Sequence, residues 1–320
     1  MIIVDVTILL VSVLLLGYFA NVVVSKSVIL SKFFGISQLA LGFLLIAWTT
    51  SLPEFSVAII SGIMKEGAIS AGNVFGANIA DILIVLGGGA FFYSIKLKRE
   101  HATDAAFVLL LTIFITLYFV YSTFMFEKPQ INMTEGLVLL LLFLLYIIYA
   151  TAKRKVGTKE STEEAISKRT AVWAFLLFLV AIAGVIAAAG IAVDRAATIA
   201  HEFGVPASII GATIISIGTC LPEITVGFAA MKKKQYALAV GEALGSTVVN
   251  PTLVLGTAAV LNPITVNAKS FFVILLFALG SAILFMYFAL SERKLGKIVG
   301  AVMLGCYILY LIALISTISS

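Results

Sequence analysis

The chain repeats part of itself at one constant offset, the separation of Glu54 from Glu223, and this repeat constrains the fold more than any other feature. Residues 29–87 align with residues 198–256 without a gap. The residues that recur include Gly42, Thr50, Leu52, Pro53, Glu54, Val57, Ala68, Gly72, Gly76, Val85, Leu86 and Gly87. We therefore expect the two copies to adopt the same local structure.

Both copies of the Leu-Pro-Glu motif lie in apolar segments that are long enough to cross a bilayer. The chain is 62% hydrophobic and 12% charged, whereas soluble domains are about a quarter charged. A helix of about 20 apolar residues crosses the hydrocarbon core. Ten such segments occur, at about 3–25, 37–64, 68–95, 105–125, 133–152, 171–193, 207–231, 236–260, 270–290 and 298–317. The sequence predicts an all-α membrane protein with ten transmembrane helices in one membrane domain.

The segments divide into two groups of five, in residues 1–152 and 171–320, joined by a linker at 153–170. Because five is odd, the second group must enter the membrane from the side opposite to the first. This arrangement is an inverted repeat, which is typical of secondary transporters. The repeated motifs occupy about 42–87 and 211–256, with helices 2 and 7 expected to be broken.

Basic residues are distributed unequally between the two sides that these crossings define. Seventeen of the 21 lysines and arginines fall on one side and four on the other. The positive-inside rule then places both termini outside and the 153–170 linker in the cytoplasm. We expect a multi-pass plasma-membrane protein whose basic loops are topology signals. Its expected partners are the lipid bilayer and small inorganic cations, with no nucleic acid and no obligatory protein partner.

The two Leu-Pro-Glu motifs place oxygen ligands at membrane depth. Proline lacks an N–H group, so Pro53 and Pro222 leave a carbonyl about four residues earlier without its helical partner. An intramembrane carboxylate is a functional-site hypothesis by default, and Glu54 and Glu223 follow the two prolines. Hydroxyls of Thr50, Ser51 and Thr219 lie within the same turns. Hard cations such as Ca²⁺ bind six to eight oxygens of these kinds.

Segments 3 and 8 carry polar stripes beside close-packing glycines. Gly72 and Gly76 form a G-x-x-x-G motif that recurs at 241 and 245, and small residues of this kind let membrane helices approach closely. Residues four apart share one side of a helix. The stripes are Asn73, Ala77 and Asp81 in the first copy and Glu242, Ser246 and Asn250 in the second. We expect both stripes to face the two glutamates.

The doubled motifs resemble the two alpha-repeats of the sodium/calcium exchanger family, within the cation/calcium antiporter superfamily. The resemblance covers both repeats and the ten-helix layout, as in a compact prokaryotic member. It implies that Glu54 and Glu223 are central ligands shared by Ca²⁺ and the counter-ion. It further implies ligand positions at Thr50, Thr219, Ser51, Ser246, Asp81 and Asn250, with backbone carbonyls of Ala47 and Ser216 at flanking sodium sites.

Four positions depart from the family pattern. Ala77 and Cys220 stand where serines are expected, which removes two hydroxyl ligands. The acid of the polar pair is Asp81, with Asn250 in the second repeat, and Glu242 replaces a typical asparagine. These departures leave the sodium stoichiometry open. Glu242, Asn73, Asn78 and Cys220 are candidates for an additional cation or proton site.

The two glutamates suggest how ions would compete. Two carboxylates that face each other in a low-dielectric cavity cannot both stay ionised cheaply. One Ca²⁺, or two or more Na⁺, would neutralise the pair, so the two ions would compete for the same oxygens. We therefore predict an antiporter that exchanges Ca²⁺ for Na⁺ by alternating access, with both as transported ions and no organic cofactor.

Several alternatives remain open at this point. The lost hydroxyls and surplus acids also suit a Ca²⁺/H⁺ exchanger, and an acid on the second stripe could admit K⁺. A cation channel would use similar groups, although channels usually assemble one pore from several chains. An enzyme is not expected, because neither a second aspartate motif nor an intramembrane Ser/His pair is present. His101 and His201, at loop ends, are expected to be solvated.

Overall fold

The computed structural model describes residues 2–33, 50–97, 99–153, 166–232, 234–291 and 294–318, most of which are helical. The helices are α1 (Ile2–Phe33), α2 (Leu52–Ile63), α3 (Gly67–Ala80, continued by Asp81–Leu86 and Gly87–Phe92), α4 (Arg99–Phe126), α5 (Met133–Lys153), α6 (Lys168–Phe203), α7 (Ala207–Ile210, continued by Gly211–Ile215 and Ser216–Thr219), α8 (Leu221–Lys232), α9 (Tyr236–Val249, continued by Asn250–Val254 and Leu255–Leu261), α10 (Ala268–Leu290) and α11 (Lys297–Ser316). The middle portions of α3, α7 and α9 are π-helical.

Seven of these helices are long and apolar enough to cross a membrane, and α7 with α8 forms an eighth span that is bent by 44°. They correspond to eight of the ten predicted segments. Of the two remaining segments, the one at 133–152 corresponds to α5, whose apolar part is shorter than the helices counted as spans. Of the other segment, at 37–64, only α2 and the two residues before it are described, because residues 34–49 lie outside the described ranges. The prediction of a helical membrane protein is confirmed.

The secondary structure repeats at the same offset as the sequence. Helix α8 begins and ends at the positions equivalent to the ends of α2, and the first portions of α3 and α9 correspond in the same way. Their π-helical portions begin at Asp81 and Asn250, which are again equivalent positions. Lys65 and Lys234, in the turns before α3 and α9, both have positive φ, of 64° and 60°. Local conformation therefore follows the repeat, as the gap-free alignment predicts.

Two short antiparallel strand pairs join loops that are distant in sequence. The strands are β1 (Ile95–Lys96), β2 (Gln130–Ile131), β3 (Ile264–Thr265) and β4 (Lys294–Leu295). Strand β1 pairs with β4, with Ile95 opposite Leu295, and β2 pairs with β3, with Ile131 opposite Ile264. Each pair contains one strand from each repeat. The loops of the two halves are thus tied together at two places.

Helices α3 and α9 occupy the centre of the bundle. In their membrane-spanning windows 89% and 78% of the residues are buried, against 28–39% for α1, α4, α6, α10 and α11. Helices α1 and α6 pack along each other, and an ion pair between Arg195 and Asp5, with Nη1 and Oδ1 2.7 Å apart, joins them. The outer helices expose large apolar side chains, as lipid contact requires. The polar residues of the repeats therefore lie in the protein interior.

The two histidines differ from each other in their surroundings. His201 is exposed, and its Nε2 lies 3.1 Å from Oε1 of Glu66, consistent with the predicted solvation. His101 is buried, so the prediction of a solvated side chain is wrong there. The sequence placed His101 at the end of a loop, but it belongs to the first turn of α4, which packs against other helices.

Candidate cation site

The prolines predict a helix break at equivalent residues of the two repeats, before Pro53 and before Pro222. Cys220 separates α7 from α8, and the axes of these helices differ by 44°. Ser51 occupies the equivalent position directly before α2, with backbone angles of −81° and 5° against −76° and −1° for Cys220. The break in the second repeat is confirmed. In the first repeat the residues that precede Thr50 lie outside the described ranges.

Glycines allow the backbones of α3 and α7 to contact each other directly. A Cβ added to Gly72 would lie 2.0 Å from the carbonyl oxygen of Ser208, and one added to Gly76 would lie 2.6 Å from that of Ala212. Gly211 of α7 approaches the Ile69 carbonyl in the same way, at 2.3 Å. The close packing predicted for the first G-x-x-x-G motif is therefore confirmed. The residues that align with this part of α7 in the first repeat lie within 34–49, outside the described ranges.

The polar stripes each face the break of the other repeat. The Thr219 hydroxyl donates a hydrogen bond to Oδ1 of Asn73 at 3.0 Å. At the equivalent place in the other half, the Thr50 hydroxyl lies beside the Glu242 carboxyl. Between them, Nδ2 of Asn78 donates to the Thr247 carbonyl at 3.1 Å, and these two residues are themselves equivalent in the repeats. The two halves therefore meet around a common centre with matching contacts.

Four carboxyl groups lie at this centre, all of them fully buried or nearly so: Glu54, Asp81, Glu223 and Glu242. Among the described residues, neither oxygen of Asp81, Glu223 or Glu242 has a hydrogen-bond partner, and Oε2 of Glu54 has none. Oγ of Ser51 and Oδ1 of Asn250 are in the same condition. An acceptor that is buried without a donor is costly. Oxygens of this type are the ligands that Ca²⁺ and Na⁺ require, so the residues present fit a hard cation.

The four acids act on one another electrostatically. Glu54, Asp81 and Glu242 all lie within electrostatic range of Glu223, and Asp81 and Glu54 lie within range of Glu242. Like charges in a low-dielectric interior repel strongly. A bound cation would relieve this repulsion, which makes the cluster suited to binding and releasing positive charge.

The structure gathers nearly every predicted site residue. Thr50, Ser51, Asn73, Asn78, Ser216, Thr219, Cys220, Ser246 and Asn250 are buried alongside the four acids. Nδ2 of Asn250 contacts Oδ1 of Asn78 at 3.1 Å and Oγ of Ser246 at 3.4 Å. Ala47 lies outside the described residues. Within the described ranges, no three acidic, cysteine or histidine side chains are arranged to hold one metal ion.

One contact near the site was missed from the sequence. Tyr310 of α11 is fully buried, and its hydroxyl donates to the carbonyl of Ala212 in the π-helical portion of α7 at 3.0 Å. Tyr307, one turn earlier, is also buried. A pair of tyrosine hydroxyls within one apolar segment was the available signal.

Comparisons with known proteins agree with this geometry. The family model described as "Sodium/calcium exchanger protein" matches residues 4–152 and 173–316. The chain is 27% identical to "Inner membrane protein YrbG" of Escherichia coli, over 95% of this chain and 94% of that one. It is 24% identical to "Sodium/calcium exchanger MaX1" of Methanosarcina acetivorans, over 98% and 99%. Among solved structures, the sodium-calcium exchanger NCX_Mj matches with a TM-score of 0.66 and 25% identity, over 98% and 100%.

Proposed function

Because the chain belongs to the sodium/calcium exchanger family, we propose that it is a secondary active antiporter that exchanges Ca²⁺ for Na⁺ across the membrane. The observation that carries the proposal is the cluster of four buried carboxyl groups, most of whose oxygens have no donor among the described residues. Both repeats contribute to this cluster, with Glu54 and Glu223 at equivalent positions. The resemblance to an exchanger whose solved structures were soaked with Na⁺ and Ca²⁺ agrees with these ions.

In the proposed site, Glu54 and Glu223 are the ligands that the two ions share. Hydroxyls of Thr50, Thr219, Ser51 and Ser246, the polar pair Asp81 and Asn250, and carbonyls at Ala47 and Ser216 complete it. One divalent ion, or more than one monovalent ion, neutralises the glutamates, so the binding of one disfavours the other. This competition couples the two fluxes.

We further propose that the chain crosses the membrane ten times as two inverted repeats, with both termini outside and the 153–170 linker in the cytoplasm. The strand pairings support this topology. The positive-inside count places the loops that contain β1 and β4 together inside, and those that contain β2 and β3 together outside, in agreement with the observed pairs. The ion pair between Asp5 and Arg195 also joins two regions predicted to lie outside. Near-symmetric repeats can exchange conformations, which gives alternating access.

The decisive experiment is a flux assay in proteoliposomes with interchangeable gradients. We expect an outward Na⁺ gradient to drive uptake of radioactive calcium, with a saturable dependence on the trans ion. Calcium uptake that depends on a pH gradient and not on Na⁺ would show that the counter-ion is H⁺ and not Na⁺. Calcium flux that needs no trans ion would indicate a channel and refute exchange.

Substitution of the central glutamates tests the site itself. Removing one charge from a buried ionic cluster costs about 3 kcal/mol, so Glu54→Gln or Glu223→Gln should lower Ca²⁺ flux by about two orders of magnitude. Glu202→Gln, at an exposed position of α6, is the matched control and should transport normally. Near-normal flux in either central variant would exclude the proposed site.

A further inference from the structure

Cys220 lies in the middle of the proposed cation site. Its side chain is fully buried at the break between α7 and α8. The sulfur lies 3.9 Å from Oε1 of Glu54 and 3.9 Å from the carbonyl oxygen of Ala77. These contacts bridge the two repeats, since Cys220 comes from the second and both partners come from the first. The thiol belongs to the buried core and at the same time points at two oxygen atoms of the proposed site.

The acidic groups around the sulfur also favour a bound cation, for reasons that do not depend on the thiol. The charges of Asp81, Glu54, Glu223 and Glu242 all act on Cys220. Among these neighbours, Oε2 of Glu54 and both oxygens of Glu223 are buried and have no hydrogen-bond partner among the described residues. A cation bound by both oxygens of the Glu54 carboxylate would satisfy Oε2 and would also contact Oε1, the oxygen that lies 3.9 Å from the sulfur. The site therefore offers a soft sulfur ligand together with hard carboxylate oxygens.

The equivalent position in the first repeat has different chemistry. Ser51, which aligns with Cys220 in the repeat, carries a hydroxyl whose Oγ is buried without a partner among the described residues. One side of the site thus retains a hard ligand where the other has sulfur. Sulfur is a poor ligand for Ca²⁺ and Na⁺ but a good one for metals such as Zn²⁺.

We infer that Cys220 makes this site bind thiophilic divalent cations, represented by Cd²⁺, through its sulfur together with the carboxylate of Glu54. The thiol gives up its proton to water when the metal binds, because the thiolate is the ligand. Since Ca²⁺ uses the same carboxylate, the two metals exclude each other. This inference rests on the proposed function only in taking Glu54 as a shared ligand of the transported ions.

The test uses the full-length purified protein with Cys306→Ser, so that Cys220 is the sole thiol in the chain. Titration with CdCl₂ should produce the ultraviolet charge-transfer absorption of a Cd–thiolate bond, and excess Ca²⁺ should abolish it. In proteoliposomes of this variant Cd²⁺ should inhibit calcium flux. With Cys220→Ser added, the absorption should vanish, and inhibition should need at least about tenfold more Cd²⁺, the loss seen when even an outer-shell partner of a metal site is removed.

Glu54→Gln in the same Cys306→Ser chain provides a test that keeps the thiol in place. The absorption should persist, but its half-saturation should require at least about tenfold more Cd²⁺. An unchanged half-saturation would show that the sulfur binds the metal without Glu54, and would overturn the inference. So would absent absorption, or absorption that Ca²⁺ does not displace, in a chain that still transports Ca²⁺. Failure of the proposed function has a different signature, namely no coupled Ca²⁺ flux in the unsubstituted protein under any gradient.

Discussion

At the scale of single residues, Tyr310 shows how a side chain far along the chain can hold the site in shape. Its hydroxyl is the donor to the Ala212 carbonyl, four residues before Ser216. That carbonyl lies in a π-helical portion, where the wider turn disturbs the regular backbone hydrogen bonds. The tyrosine thus stabilises the irregular backbone from which α7 enters its break.

Tyr310→Phe should therefore destabilise the protein by about 1 kcal/mol, the usual net contribution of a hydrogen bond, and by more if the carbonyl stays unpaired. Thermal unfolding in detergent measures the effect. Tyr307→Phe is the matched control, because the Tyr307 hydroxyl is buried without a hydrogen-bond partner among the described residues. Its loss should leave the unfolding temperature unchanged or raise it. Equal losses in the two variants would contradict the assigned hydrogen bond.

The carboxyl cluster, in contrast, could be predicted residue by residue. Glu54 and Glu223 are recognisable because a charge within a long apolar segment is rare and this one occurs twice. Tyr310 could not be ranked in the same way, since tyrosine is common in membrane helices, especially at their ends. Its importance depends on an acceptor 98 residues away.

At the scale of elements, the contact between α3 and α7 determines how closely the first polar stripe approaches the second break. Gly72, Gly76 and Gly211 bring the two backbones together, and the hydrogen bond from Thr219 to Asn73 spans the same contact. A side chain at any of the three glycines would separate the helices. The polar stripe of α3 would then be too far from the break between α7 and α8 to contact it.

Gly72→Ala tests this packing. The new Cβ would lie 2.0 Å from the Ser208 carbonyl oxygen, and backbone cannot yield as a flexible side chain can. We expect a loss of about 1–3 kcal/mol in the free energy of unfolding, together with a fall in Ca²⁺ flux. In Gly190→Ala of α6 the added methyl group meets no described atom within 4 Å. That control should be neutral or more stable by up to about 1 kcal/mol, and an equally harmful effect there would argue against a packing cause.

The glycine motif predicted that α3 packs closely, but it did not identify α7 as the partner. G-x-x-x-G describes one surface of one helix, and many helices could lie against it. The sequence also contained no sign of the π-helical portions, which begin at equivalent positions in α3 and α9. Such portions depend on which carbonyls find partners after packing, and this is not a local property.

At the scale of the whole molecule, the two strand pairs indicate which loops lie on the same side of the membrane. Short strands can pair only if their loops emerge on the same side of the membrane. Ile95 lies opposite Leu295, and Gln130 opposite Thr265, so the charge bias and the backbone agree on which loops share a side. The charge bias and the strand pairs thus agree with the sidedness of these four loops in the proposed topology.

Thiol labelling in cells tests the proposed orientation. Thr265, in β3 just before α10, and Ser291, directly after α10, are exposed residues on either side of that helix. An impermeant maleimide should label Thr265→Cys in intact cells, whereas Ser291→Cys should react only after permeabilisation. The unsubstituted chain gives the background from its two native cysteines. The reverse pattern would invert the orientation, and labelling of both from one side would remove α10 as a crossing.

The sequence alone determined the helical membrane class, the repeat, the break at Pro222 and the acids of the candidate site. These features depend on hydrophobicity and proline geometry, which act over a few neighbouring residues. Only the tertiary structure decided which distant groups meet: the sulfur of Cys220 beside Glu54, Tyr310 against Ala212, and β1 against β4. Each of these contacts joins segments at least 98 residues apart. They form because helix packing buries polar atoms together, and neither spacing nor composition carries that information.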